Sequence, residues 1–181
     1  MQQFVSDIDQ IRQRARAHME EGAITQGYKA DRTQVIKVLN EVLATELVCA
    51  LRYKRHYFMA SGINSDPVKD EFRQHALEEE QHADTVAARI VQLKGEPNFN
   101  PDGLAARSHA QYVEGDDLIS MIKEDLVAER IAIETYGDII RWLGDSDPTT
   151  RRMIENILEK EEEHAEDMAS LVEIYDRSQA R

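Results

Sequence analysis

Cysteine is almost absent from this sequence: Cys49 is the only one among 181 residues. That excludes an intramolecular disulfide, a four-cysteine zinc site and a rubredoxin-type centre, and it fits a reducing, cytoplasmic setting. Glycine and proline are scarce, at 8 and 4 residues, and aromatic or β-branched runs of strand length are missing. Composition therefore points to an all-α chain. No long hydrophobic run exists either. The opening Met1-Gln2-Gln3 soon reaches Asp7 and Asp9, without the apolar core of a secretory signal, and nothing further on could span a bilayer. A soluble, unexported protein with no membrane partner is the expectation. Positive charge is also in deficit, with 22 Lys and Arg against 35 Asp and Glu and a formal net charge of -13. Nucleic acid and anionic lipid are disfavoured as partners and cations become natural guests, although a solvated acidic helix surface gives the same balance.

What is present is helical punctuation. A first helix is expected from about Ser6, with Ser6 and Asp9 spaced as a capping box and Val5, Ile8, Ile11, Ala15 and Met19 on one face, stopping at Gly22. Arg12, Arg14 and Arg16 fan around that helix among acidic residues, so they read as a solvated face rather than a DNA-binding arm. Residues 1–30 form this helix and a linker, and residues 31–177 form the main domain. Its helices are expected at Asp31 to about Ala60, at Ser65 or Asp66 to Gly95, at about Asp116 to Leu143, and at Asp147 to about Asp176, with Pro67 and Pro148 in the first turn of their helices. Short turns join the first two and the last two into hairpins. Between the hairpins lie about twenty residues, Glu96 to Gly115, too many for a simple turn. A thirty-residue helix is about 45 Å long and twenty extended residues reach roughly 66 Å, so this segment can return along the full rod and lay the two middle helices parallel.

The hairpins repeat one another. Asp66-Pro67 and Asp147-Pro148 open helices that each carry Glu-x-x-His, at Glu79/His82 and Glu161/His164. Glu46 precedes Glu79 by 33 residues and Glu129 precedes Glu161 by 32, while Tyr53 and Tyr136 each follow their lone glutamate by seven. Residues three apart share a helix face, so each Glu-x-x-His pair can reach one metal-sized spot. Either motif alone, in a stretch as acidic as Glu78-Glu79-Glu80, reads first as a solvated charge run. Their registration with Glu46 and Glu129, each set among apolar residues, is the pattern of di-iron and di-manganese carboxylate bundles. Four buried carboxylates would repel one another, and two divalent ions would cancel their charge. Oxygen-rich ligation with one imidazole per ion suits iron, or alternatively manganese, better than structural zinc.

These residues resemble bacterioferritin from about Asp31 to Asp167. The similarity is carried by Glu46 with Tyr53, by Glu79-Glu80-Gln81-His82-Ala83-Asp84 leading to Gly95-Glu96-Pro97-Asn98, and by Asp125-Leu126 ahead of Glu129. The resemblance implies a ferritin-like four-helix bundle with two iron ions per subunit. Glu79 and Glu161 would bridge the ions, Glu46 and His82 would complete one shell, and Glu129 and His164 the other. Tyr53 would take a catalytic part, bonding to a ligand or donating an electron. Two departures matter. Glu80 stands where bacterioferritins have their haem-ligating methionine, which speaks against haem. The chain also ends seventeen residues after His164, without the short helix that helps close 24-subunit cages. That is closer to Dps-like mini-ferritins with a bacterioferritin-type site inside each subunit, implying a homo-oligomer of twelve rather than twenty-four.

The expected function is a ferroxidase and iron-storage protein acting on Fe(II) with O2 or H2O2. A di-iron oxygenase on a small organic substrate, or a metal-stabilised structural or encapsulated protein, are the alternatives. Other residues take plainer roles. His75 reads as a structural histidine before a conduit or third-ion ligand, Tyr136 as a packing residue with a satisfied hydroxyl, Trp142 as core, and Cys49 as a small buried hydrophobe.

Overall fold

The computed structural model describes residues 6–62 and 65–179, all helix, turn and loop. Its elements are α1 (Ile8–Arg16), α2 (Arg32–Met59), α3 (Ser65–Gln92), α4 (Leu104–Arg107), α5 (Leu118–Leu143) and α6 (Pro148–Gln179). Four long helices form the bundle. Their buried residues recur at alternating spacings of three and four: 35, 39, 42, 46, 49, 53, 56 and 60 on α2 and its cap, 65, 68, 72, 75, 79, 82, 86 and 89 on α3, 122, 125, 129, 132, 136, 139 and 143 on α5, and 147, 150, 154, 157, 161, 164 and 168 on α6 and its cap. That spacing holds one stripe against the neighbouring helices along the whole rod. The six candidate ligands lie on these stripes, so their burial follows from register.

One apolar cluster joins Val35, Leu39 and Val42 of α2 to Val86 and Ile90 of α3, Tyr136 and Ile139 of α5, and Ile154 and Ile157 of α6. A second, at the other end, joins Tyr53 and Ala60 to Val68, Phe72, Met121, Ile122 and Met168. These groupings make α3 and α5 parallel, as the length of the intervening segment requires. That segment runs alongside α2: Asn40 donates to Glu96 O and accepts from Asn98 N, His109 N donates to Thr45 Oγ1, and Arg55 donates to Glu114. α2 is therefore buried on a second face, at Thr45, Val48 and Arg52.

Beneath this strap Asp125 accepts from Arg52 Nε at 2.7 Å and faces His56 Nδ1 at 2.8 Å, while Arg52 and His56 also reach the carbonyls of Gln111 and Glu114. All three side chains are fully buried. Asp125→Ala would strand two buried basic groups and should cost about 3–5 kcal/mol, visible as a lowered melting temperature.

Local caps match the expected punctuation with small shifts. Asp31 accepts from Gln34 N, Asp147 from Thr150 N, and α5 begins one residue late, on a capping box between Asp117 and Ser120. Gly95 does not carry the turn after α3. Lys94 takes the left-handed conformation instead, and Gly95 is needed because a Cβ there would lie 2.7 Å from Ile36.

Two expectations need correction. The first helix is capped by Asp7 rather than Ser6 and ends at Arg16, followed by an extended Ala17, a left-handed His18 and a single 3-10 turn. It buries none of its residues, and its apolar face, which within the helix consists of Ile8, Ile11 and Ala15, has too little area to hold a longer helix; Val5 lies outside the described residues. Trp142 is 49 % exposed rather than core. It falls between the buried positions Ile139 and Leu143, off the α5 stripe.

Candidate metal centre

Glu46, Glu79, His82, Glu129, Glu161 and His164 meet midway along the bundle, between the two apolar clusters. All are buried, His82 least at 9 % exposed. Their donor atoms form two groups, each within 4.8 Å: Glu46, Glu79, His82 and Glu161, and Glu79, Glu129, Glu161 and His164. Glu79 and Glu161 belong to both. His82 Nδ1 lies 3.1 Å from Glu46, 3.0 Å from Glu161 and 3.9 Å from Glu79, and His164 Nδ1 lies 3.4 Å from Glu79 and 3.7 Å from Glu161. Glu79 Oε1, Glu129 Oε2, Glu161 Oε1 and His164 Nδ1 are buried without a hydrogen bond; the His82 to Glu161 approach lacks the alignment of one. Unpaired buried donors and acceptors are costly, and four converging on one spot fit a cation.

Two tyrosines complete the arrangement reciprocally. Tyr53 of α2 donates to Glu129 of α5 at 2.5 Å, and Tyr136 of α5 donates to Glu46 of α2. The seven-residue spacing that recurs in both hairpins is this exchange, so Tyr136 belongs beside the site as much as Tyr53. Glu78 is a residue the sequence did not single out: it accepts from His164 Nε2 at 2.7 Å, leaving Nδ1 to face the centre. Its spacing gave no signal, because its counterpart ahead of Glu161 is Lys160, which turns to Glu163.

Without ions, protons fill the charge deficit. Burial and then the charge of Glu79 push Glu46 up to about 8. Burial and then Glu79 also raise Glu129 and, strongly, Glu161. Burial would lift Glu79 as well, but contacts with His164, His82 and Glu46 hold it below the ordinary carboxylate range. Burial would depress both imidazoliums, yet their carboxylate neighbours outweigh it and raise His82 to about 12 and His164 to about 9. His75 is buried and stacked on His164, and burial followed by that neighbour lowers it to about 4. Cys49 is buried with Ala110 and Ala128, as a small hydrophobe.

A four-helix bundle with paired Glu-x-x-His motifs on facing helices defines a dinuclear carboxylate class. Residues 36–178 match the ferritin-like domain, and the chain belongs to that family. It is 28% identical over 140 residues to bacterioferritin of Desulfovibrio desulfuricans, covering 76% of this chain and 74% of that one. A dodecameric thioferritin of Bacteroides fragilis, a bacterioferritin-related protein, superposes with a TM-score of 0.79 at 30% identity, over 84% of this chain and 92% of that one. Bacterioferritin of Rhodobacter capsulatus, solved with a metal-free dinuclear site and haem iron, superposes with a TM-score of 0.70 at 25% identity, over 82% of this chain and 89% of that one.

Proposed function

We propose that this chain is a ferroxidase that binds two Fe(II) in each subunit, oxidises them with O2 or H2O2 and retains the product as stored iron. The observation that carries this is the overlap of the two donor groups at Glu79 and Glu161, which lets two carboxylates serve both ions while Glu46 with His82, and Glu129 with His164, serve one each. Two Fe(II) supply two electrons, reducing O2 and two protons to H2O2, or H2O2 and two protons to two waters. The protein holds the pair at a shared spacing and orients the terminal carboxylates through the Tyr53 and Tyr136 hydroxyls. The donor set would also accept Mn(II).

A cavity of about 380 Å³ between α3 and α6 opens on His82, lined by Thr85, Thr149, Arg152, Met153, Asn156 and Ile157. It mixes polar and apolar lining and has room for O2 or H2O2 beside His82. A larger cavity, about 990 Å³, lies between the crossover and α2 and is lined by none of the six candidate ligands. Glu80, at the place of a haem-ligating methionine in the resemblance, pairs with Lys54, so haem is left out of the proposal. A twelve-subunit shell is favoured over twenty-four, in keeping with the Bacteroides fragilis relative.

Anaerobic Fe(II) titration followed by air should give ferric absorbance saturating its fast phase at two irons per chain, from a particle whose light-scattering mass is near twelve chains. Absence of the fast phase would overturn the ferroxidase assignment, and a dimer would remove the storage role.

A further inference from the structure

Three sets of metal-competent side chains lie in sequence along the seam between α3 and α6. The innermost contains His164 and belongs to the proposed centre; the next is His75, Glu78 and His164; the outermost is Glu71, His75 and Asp167. Adjacent sets share an imidazole, and the two rings stack with centroids 4.0 Å apart. We propose that Glu71, His75 and Asp167 form a third divalent-cation site that captures Fe(II) at the surface and feeds the dinuclear centre. This rests on the centre being a metal site, as proposed above.

The geometry is that of ligands rather than of a closed hydrogen-bond network. His75 is 1 % exposed, and its Nδ1 lies 3.3 Å from the Tyr53 hydroxyl, which turns Nε2 outward. There Nε2 faces Asp167 Oδ2 at 3.4 Å and Glu71 Oε2 at 3.8 Å. Both distances exceed an ordinary N–H···O bond of about 2.7–3.2 Å. They match two ligands of one cation: with bonds of about 2.1 Å, the angles subtended at the ion are about 110° and 130°. Glu71 and His75 are one helical turn apart on α3, and Asp167 follows His164 by three residues on α6, so the site repeats the one-turn logic of the centre with its carboxylates at the surface.

Those carboxylates are reachable, since the Glu71 and Asp167 side chains are 41 % and 54 % exposed. On this side the centre behind them is closed: Glu79, Glu129, Glu161 and His164 are each at most 1 % exposed. A cation held on His75 sits one ring away from His164, with Glu78 on His164 Nε2 as an intervening carboxylate. Ion transfer can then proceed by exchanging one ligand at a time, without baring a divalent charge to the core.

The test uses Co(II) alone, in anaerobic equilibrium dialysis of the whole assembled protein, with wild type compared to the Glu71→Gln/Asp167→Asn double variant. Wild type should bind three Co(II) per chain and the variant two, with unchanged helical circular dichroism. At one Fe(II) per chain the variant should also oxidise several-fold more slowly while reaching the same end point. Two Co(II) in both proteins, or three in both, overturns the third site and leaves the dinuclear centre standing. Fewer than two in wild type overturns the centre and the third site together.

Discussion

Glu79→Ala is expected to abolish cooperative binding of two ions and to slow Fe(II) oxidation by at least about 10²-fold. Glu79 is common to both donor groups, so its removal takes a ligand from each ion at once. Loss of groups that only orient a ligand already costs roughly 10–100-fold in comparable sites. Glu46→Ala is the informative contrast. It strips one group and leaves Glu79, Glu129, Glu161 and His164 together, so the centre should still hold one ion while paired oxidation fails, because one Fe(II) supplies only one electron. Anaerobic Co(II) titration gives the stoichiometries and stopped-flow absorbance the rates. If Glu79→Ala binds as many ions as wild type and turns over near the wild-type rate, Glu79 is no bridge.

Metal-free protein should lose stability as pH rises through the neutral range, the reverse of ordinary acid denaturation. Glu46, raised from 4.5 to about 8 by burial and then by Glu79, holds its proton more tightly folded than unfolded. Its contribution is complete below about pH 4.5 and is lost as pH climbs towards 8. His82, raised from 6.5 to about 12 by Glu161, Glu46 and Glu79 against the effect of burial, has the same sign and weakens from about pH 6.5 upward. Glu79 is depressed, so its contribution has the opposite sign and is lost only on acidification below about pH 4.5. Stability should therefore peak near pH 5 and fall by a few kcal/mol by pH 8, roughly 5–10 °C in melting temperature. Bound ions displace these protons, so stabilisation by Co(II) should grow with pH over the same window. Melting curves at pH 5, 6.5 and 8 with and without Co(II) check both trends, and a metal-free midpoint that rises with pH would contradict them.

Much of the site was legible because its residues obey helical arithmetic. Glu-x-x-His encodes a shared face within one turn, and the separations of 33 and 32 residues place each lone glutamate at the height of its motif across a hairpin. Tyr136 was undervalued for the opposite reason. Its hydroxyl meets Glu46, 90 residues away, and only the facing of α2 and α5 makes that contact. Glu78 was lost in an acidic run whose members look alike until one is seen to meet His164, 86 residues on. Trp142 shows the same limit from the other side, since a large aromatic in an apolar helix reads as core unless its angular position is known.

The caps of the long helices, the proline punctuation, the three-and-four spacing and the placing of the six candidate metal-ligating residues on one stripe were legible in the sequence alone, because each depends on neighbours within a few turns of one helix. The tertiary structure decided which carboxylates belong to both donor groups, that each tyrosine serves the other hairpin's glutamate, that α1 buries none of its residues, and that His75 faces two surface acids. Those outcomes are distances between helices, set by how four stripes pack together, and local periodicity carries no record of them.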